Sequence, residues 1–269
     1  MKKLSLALTT SLLIAGVSVS KAAVKDVAGK IIFQENFNQK SEIPDTNIWK
    51  LCTYAHNAWS QHFGHVKGYE NVRVKNGKLI LKASKEDGHY KNGGIRTKIG
   101  FPCNTRVSVK AKLNKLVKGG FPAIWQMPMG KEPWPTGGEV DIMEWVQQTP
   151  NSAYQTVHNS YNAKHRSDHE TGETNVTDNL DLTKYHVYTA DRTPEAVIFY
   201  IDGVETGRYI NLHNDEESTQ FPFCANPFDI ILNYSLGGEL DGMKTWPGPI
   251  DDNDLPGELI IDWVKVSEL

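Results

Sequence analysis

Cysteine is scarce in this chain: Cys52, Cys103 and Cys224 are the only three among 269 residues. Three thiols allow at most one internal disulfide and leave one over, which excludes a small disulfide-stapled scaffold. The spacing does not choose among the pairings, and a fully reduced, buried set is equally compatible with it. Long apolar runs are missing too. Only Leu4 to Val19 approaches one, and it is too short for a membrane span. Preceded by Lys2-Lys3 and followed by the small-residue site Ser20-Lys21-Ala22, it makes residues 1–22 read as an export signal. No cysteine lies near that site, which speaks against a lipoprotein anchor. The mature chain, residues 23–269, is expected to be soluble and either secreted or periplasmic.

Excess charge of either sign is absent. The formal net charge is −3, falling to −6 once Lys2, Lys3 and Lys21 are removed. Such a mildly acidic protein is a poor match to nucleic acid or to an anionic membrane. A helical period is missing as well, with no amphipathic helix of ordinary length, no repeat and no low-complexity linker. What fills the mature chain is strand after strand. Ile31-Ile32-Phe33 opens the series. Val72 and Val74 alternate inward, Asn76-Gly77 turns, and Leu79 and Leu81 alternate back. Val107, Val109, Ala111 and Leu113 alternate with outward Lys110 and Lys112. Segments at 123–127, 140–146, 185–191, 197–201 (turning at Asp202-Gly203), 228–236 and 259–266 follow. Many short strands predict an all-β fold, a two-sheet antiparallel β-sandwich or jelly roll forming one domain.

Within that pattern Gly137-Gly138-Glu139-Val140-Asp141-Ile142-Met143-Glu144-Trp145 is the most informative stretch. Acidic and apolar residues alternate from Glu139 to Ile142, so Glu139 and Asp141 leave a strand on one face. Glu144 has the wrong parity for that face. One extra residue, most simply Met143 taken up as a β-bulge, returns it there. Three carboxyls on one face repel one another and raise each other's pKa. A solvated face gains little from such order. A calcium cluster is one alternative chemistry. Retaining glycoside hydrolysis is the better match, because it uses two carboxyls about 5–5.5 Å apart, one nucleophile and one acid/base.

The stretch resembles the Glu-x-Asp-x-x-Glu signature of glycoside hydrolase family 16, in its bulged, laminarinase-like form. Pro122-Ala123-Ile124-Trp125, Trp134-Pro135 and Thr156-Val157-His158 flank it in agreement, and the likeness runs from about Ile31 to Val266. The resemblance implies a jelly roll with a concave cleft, Glu139 as nucleophile, Asp141 as assisting acid and Glu144 as acid/base. It implies substrate contacts from Trp125, Trp134, Arg96, Asn71 and His158. It also implies a structural calcium held by Asp262, with a carbonyl from Gly77, and no cofactor for catalysis. The implied activity is a secreted endo-β-glycosidase on a β-1,3- or mixed-linkage glucan. An endo-β-galactosidase on galactose-containing glycans (mucin, keratan or agar-like) is the alternative, and a non-catalytic carbohydrate-binding jelly roll the second. The expected partner is a polysaccharide or glycan alone, with the protein a monomer. Gln126 and the stretch 57–62 depart from the glucanase pattern.

Seven tryptophans give sugar-stacking candidates. Trp49 and Trp263 read as core, Trp145 as core or support for the acids, and Trp59 and Trp246 as loop residues able to line a cleft. His56, His62 and His65 match no compact zinc spacing and read as a polar loop.

Overall fold

Period-two alternation produces paired strands wherever turn residues release them. The computed structural model describes residues 29–53, 57–165, 173–214 and 216–269. In chain order the strands are β1 (Ile31–Glu35), β2 (Trp49–Leu51), β3 (Val72–Lys75), β4 (Lys78–Glu86), β5 (His89–Lys91) and β6 (Gly93–Thr97). The next six are β7 (Thr105–Leu113), β8 (Gly120–Pro128), β9 (Glu139–Glu144), β10 (Ala153–His158), β11 (Thr174–Thr177) and β12 (His186–Arg192). The last six are β13 (Ala196–Ile201), β14 (Val204–Ile210), β15 (Phe228–Leu236), β16 (Glu239–Leu240), β17 (Met243–Lys244) and β18 (Gly257–Glu268). The signal segment and His56 lie outside the described residues. No helix among those described is long and apolar enough to cross a membrane.

Two large antiparallel sheets result. The first runs β14-β13-β12-β7-β18-β4-β3, with β1 added to β18 and β5 to β4. The second runs β11-β10-β9-β8-β15-β6-β2. Asn76-Gly77 and Asp202-Gly203 turn the β3–β4 and β13–β14 hairpins with positive φ at both residues, which suits strand twist. Between the sheets lies one core, to which Val107, Val109, Ala111 and Leu113 of β7 and Ile230, Leu232, Tyr234 and Leu236 of β15 contribute. Trp49 and Trp145 are buried in it as expected. Gln126 shares its strand face with Ile124 and is fully buried, so it points to the core rather than to a substrate surface.

Trp263 corrects its reading as core. Ile261 pairs with Ala111 and Trp263 with Lys110, so Asp262 is an extra residue in β18. That bulge puts Asp262 and Trp263 both on the outer face, where the indole is half-buried. Cys103 and Cys224 form a disulfide across 121 residues, and Cys52 is free and buried.

Candidate active site

Val140, Ile142, Met143 and Trp145 are buried between the sheets, leaving Glu139, Asp141 and Glu144 for the opposite face of β9. A bulge makes this possible. Against β8, Trp125 pairs with Asp141 and Ile124 with Met143, so Ile142 is the residue without an opposite number. The extra residue expected at Met143 thus falls one position earlier on this side, since both side chains are apolar and either can point inward. Against β10, His158 pairs with Glu139, Thr156 with Asp141 and Tyr154 with Glu144, and Gln155 stands alone opposite the bulge. Gln155 is fully buried. Its Nε2 donates to the Ile142 carbonyl at 2.9 Å, and its Oε1 accepts from Thr206 Oγ1.

Over this face opens a cavity of about 1070 Å³. Glu139 and Glu144 of β9 line it between Trp125 and Arg96, from β8 and β6, and Tyr154 and His158 of β10, with Trp59 and Trp246 added from loops. Trp134 is 61% exposed at the rim, and its Nε1 donates to Glu139 Oε2 at 2.7 Å. His158 Nε2 lies 3.1 Å from Asp141 Oδ2. Trp125 Nε1 donates to Asn233 Oδ1 at 2.7 Å, which fixes the indole, and Trp59 meets it edge-on at 4.9 Å. Arg96 donates from Nε and Nη2 to Asp229 Oδ2, both at 2.6 Å. Phe121 and Tyr154 hold the Trp246 ring edge-on at 5.5 and 5.1 Å. Both tryptophans assigned to loops therefore reach the cavity.

Electrostatics separate the two glutamates. Burial first, and then the Asp141 charge, push Glu139 and Glu144 upward. His158 and the Trp134 N–H pull Glu139 back, while only raising influences act on Glu144. Burial works against a charged His158 ring, but the Asp141 hydrogen bond and charge overcome it and push the imidazole up to about 9. At neutral pH the site therefore holds an imidazolium beside Glu139, and its most firmly held carboxyl proton on Glu144.

Two expected site residues sit elsewhere. Asn71 is 1% exposed, and its Nδ2 donates to the Lys82 and Lys91 carbonyls and to Ser84 Oγ. It ties strands of the first sheet together and does not line the cavity. Asp262 takes Lys78 Nζ at 2.6 Å on one oxygen and Lys110 Nζ at 2.9 Å on the other. Two ammonium groups already neutralise it, so these residues do not fit a calcium ion. His62 is engaged with the Gly237 carbonyl and His65 stacks on His89, in keeping with a polar loop. Among the described residues, the one grouping with metal-ligand spacing is Glu139, Asp141 and His158 itself. There the imidazole is already committed to Asp141.

Sequence reasoning missed Asp229 and Gln155. The signal for Asp229 is an acid inside the apolar run Phe228-Asp229-Ile230-Ile231. For Gln155 no local signal exists, because its role arises from the register break across the strand pair.

Three acids on a bulged strand under an aromatic-walled cleft have counterparts among known proteins. Residues 59–265 match the profile of Glycosyl hydrolases family 16. The chain belongs to this family. A beta-glucanase of Rhodothermus marinus is 30% identical over 252 residues, 88% of this chain and 84% of that one. A keratan-sulfate endo-1,4-beta-galactosidase of Sphingobacterium multivorum is 28% identical over 89% of this chain and 55% of its own length. Among solved structures, one from work on endo-acting O-glycanases with which prominent human gut bacteria initiate mucin breakdown is 57% identical. It superposes with a TM-score of 0.84 over 89% of this chain and 100% of that one. SCLam, a non-specific endo-beta-1,3(4)-glucanase of family 16, superposes with a TM-score of 0.75 at 28% identity, over 89% and 91%. This family 16 protein is a glycoside hydrolase, an endo-β-glycosidase with the two-sheet fold of its relatives.

Proposed function

We propose that this enzyme is a retaining endo-β-galactosidase that cleaves internal bonds of galactose-containing O-glycans of the mucin type. The observation that carries the substrate is the 57% identity, over the whole of its length, to the chain from the O-glycanase work. The cleft supports it: Asn57, Ala58 and Trp59, in the stretch that departs from the glucanase pattern, form part of the cavity wall. A β-1,3- or mixed-linkage glucan is the second reading, favoured by the 30% identity to the beta-glucanase. The export signal expected at residues 1–22 would suit an enzyme that meets such polymers outside the cytoplasm.

The catalytic roles follow from the asymmetry of the acids. Glu139 attacks the anomeric carbon while Glu144 gives its proton to the departing glycosidic oxygen, leaving a glycosyl ester on Glu139. Ester formation removes the Glu139 charge, so Glu144 now holds a proton less tightly and takes one from the incoming water. Water oxygen bonds to the anomeric carbon, the ester breaks, and both groups return to their first state. The His158 imidazolium and the Trp134 N–H favour the ionised form of Glu139 against burial and the Asp141 charge, and Asp141 in turn fixes His158 beside it. Trp134, hydrogen-bonded to Glu139 at the rim, and the Trp59–Trp125 pair offer flat faces for sugar rings. Digestion of gastric mucin, keratan, laminarin and barley β-glucan with product masses tests the substrate. Galactose-terminated O-glycan fragments from mucin with intact laminarin are expected, and the reverse overturns the galactosidase reading.

A further inference from the structure

The outer face of the first sheet carries a second concavity, about 470 Å³ in volume, on the opposite side of the sandwich from the acids. Its origin is in the cross-strand rows. Tyr200 pairs with Thr189, Thr189 with Ser108, and Ser108 with Lys265, so one row reads Tyr200-Thr189-Ser108-Lys265 across four strands. Two small hydroxyl residues in the middle make a trough, and the Ser108 and Thr189 hydroxyls bond each other across its floor at 2.9 Å. Tyr200 forms one wall. Trp263 forms the other, turned outward by the Asp262 bulge, with Lys265 Nζ 4.9 Å from its ring centre. Arg106, also in the lining, is held by the buried Asp191 in a bidentate bridge, at 2.6 and 2.8 Å.

We propose that this trough is a second, non-catalytic saccharide-binding site, taking a short neutral segment of the glycan polymer that the cleft cleaves. The volume falls within the about 300–1,000 Å³ of small-ligand sites. A half-buried indole beside a floor of hydroxyls is the chemistry that a sugar ring needs, one apolar CH face and an edge of hydroxyls. Charge complementarity argues against other occupants. Asp191 neutralises Arg106, and the lining adds one further cation, Lys265, and one acid, Asp202, so no net cationic patch is offered to a nucleic acid or phosphate. The concavity is recessed between Tyr200 and Trp263 rather than flat, which suits a small sugar unit better than a protein partner. A polymer held on the outer face keeps further chain near the cleft and raises its effective concentration. The proposal rests on the glycosidase reading only for the choice of glycan.

The test uses the full chain carrying Glu139→Gln, run by native electrophoresis through gels with gastric mucin, desulfated keratan, laminarin or no glycan. Trp263→Ala and Ser108→Tyr are then added separately, the first removing a wall and the second filling the floor. Each is expected to weaken retardation by the cleaved polymer about three- to tenfold. In the wild-type background each should leave hydrolysis of a short oligosaccharide and the Tm unchanged. Unchanged retardation in both variants, absence of retardation by every glycan, or a parallel fall in short-substrate hydrolysis overturns the second site. Failure of the glycosidase reading looks different: the wild-type enzyme then cleaves none of the polymers.

Discussion

His158 shows how far one side chain sets the chemistry of this site. Its imidazolium, pushed up to about 9, bonds Asp141 and pairs across β9 and β10 with Glu139, the carboxyl that must be ionised to attack. Removing that positive charge raises Glu139. His158→Gln should therefore move the acidic limb of the kcat/KM–pH profile to higher pH, with a smaller loss at the optimum than either glutamate variant gives. Stability follows the same sign. A group whose folded pKa is raised contributes fully below its unfolded value of about 6.5, and the contribution is lost as pH rises through about 9. The Tm gap between wild type and His158→Gln should narrow across that window in a thermal-melt series. At this scale the sequence was most legible for Glu139, Asp141, Glu144, Trp134 and His158, because strand parity and short range place them together. Asn71 read wrongly, since only the folded sheet shows which carbonyls its amide meets.

At the scale of the element, the bulge in β9 decides whether Glu144 is a catalytic group or a buried charge. Without an extra residue its parity sends it into the core. Gln155 holds the bulge by binding the Ile142 carbonyl, so it is a positioning residue that never meets substrate. Gln155→Leu leaves that carbonyl unsatisfied at a cost of about 1–3 kcal/mol. The expected result is a fall in kcat of about 10- to 100-fold with KM little changed, alongside a lower Tm. A Tm loss with kcat intact would show that Gln155 serves the fold alone. Three acids in an apolar strand announced this bulge, whereas the one at Asp262 had no such marker. Ile260-Ile261-Asp262-Trp263-Val264 fits a regular strand equally well, which is why Trp263 read as core.

Across the whole molecule, long-range pairings were the least legible. Nothing local distinguishes Cys103–Cys224 from the other pairings. In the fold, Arg192, 1% exposed, donates to the Phe101, Pro102 and Phe223 carbonyls and so brings the two cysteine segments together. Reduction of the disulfide should lower stability by about 2–5 kcal/mol, read as a Tm shift in reductant that Cys103→Ser reproduces. Asp262 carries a second whole-molecule prediction. Burial opposes its ionisation, but the Lys78 and Lys110 hydrogen bonds win and hold it below the usual carboxylate range. Its stability contribution is present above the unfolded value of about 3.9 and lost as pH falls through the lower folded one. Because lysines occupy both oxygens, chelator should leave the Tm unchanged at neutral pH, whereas a calcium-dependent Tm would point to a cation site there.

The division of labour between Glu139 and Glu144 is the claim on which the rest depends. Glu144→Gln should suppress cleavage of natural polymers yet spare aryl glycosides with good leaving groups, while Glu139→Gln should abolish both. Proton NMR of the first-formed reducing end during digestion of a cleaved β-linked polymer tests the pair most directly. Attack by Glu139 followed by water activated at Glu144 predicts the β-anomer first, with the α-anomer growing only through mutarotation. An initial α-anomer would mean single displacement by water, and the roles assigned to these two glutamates would be wrong.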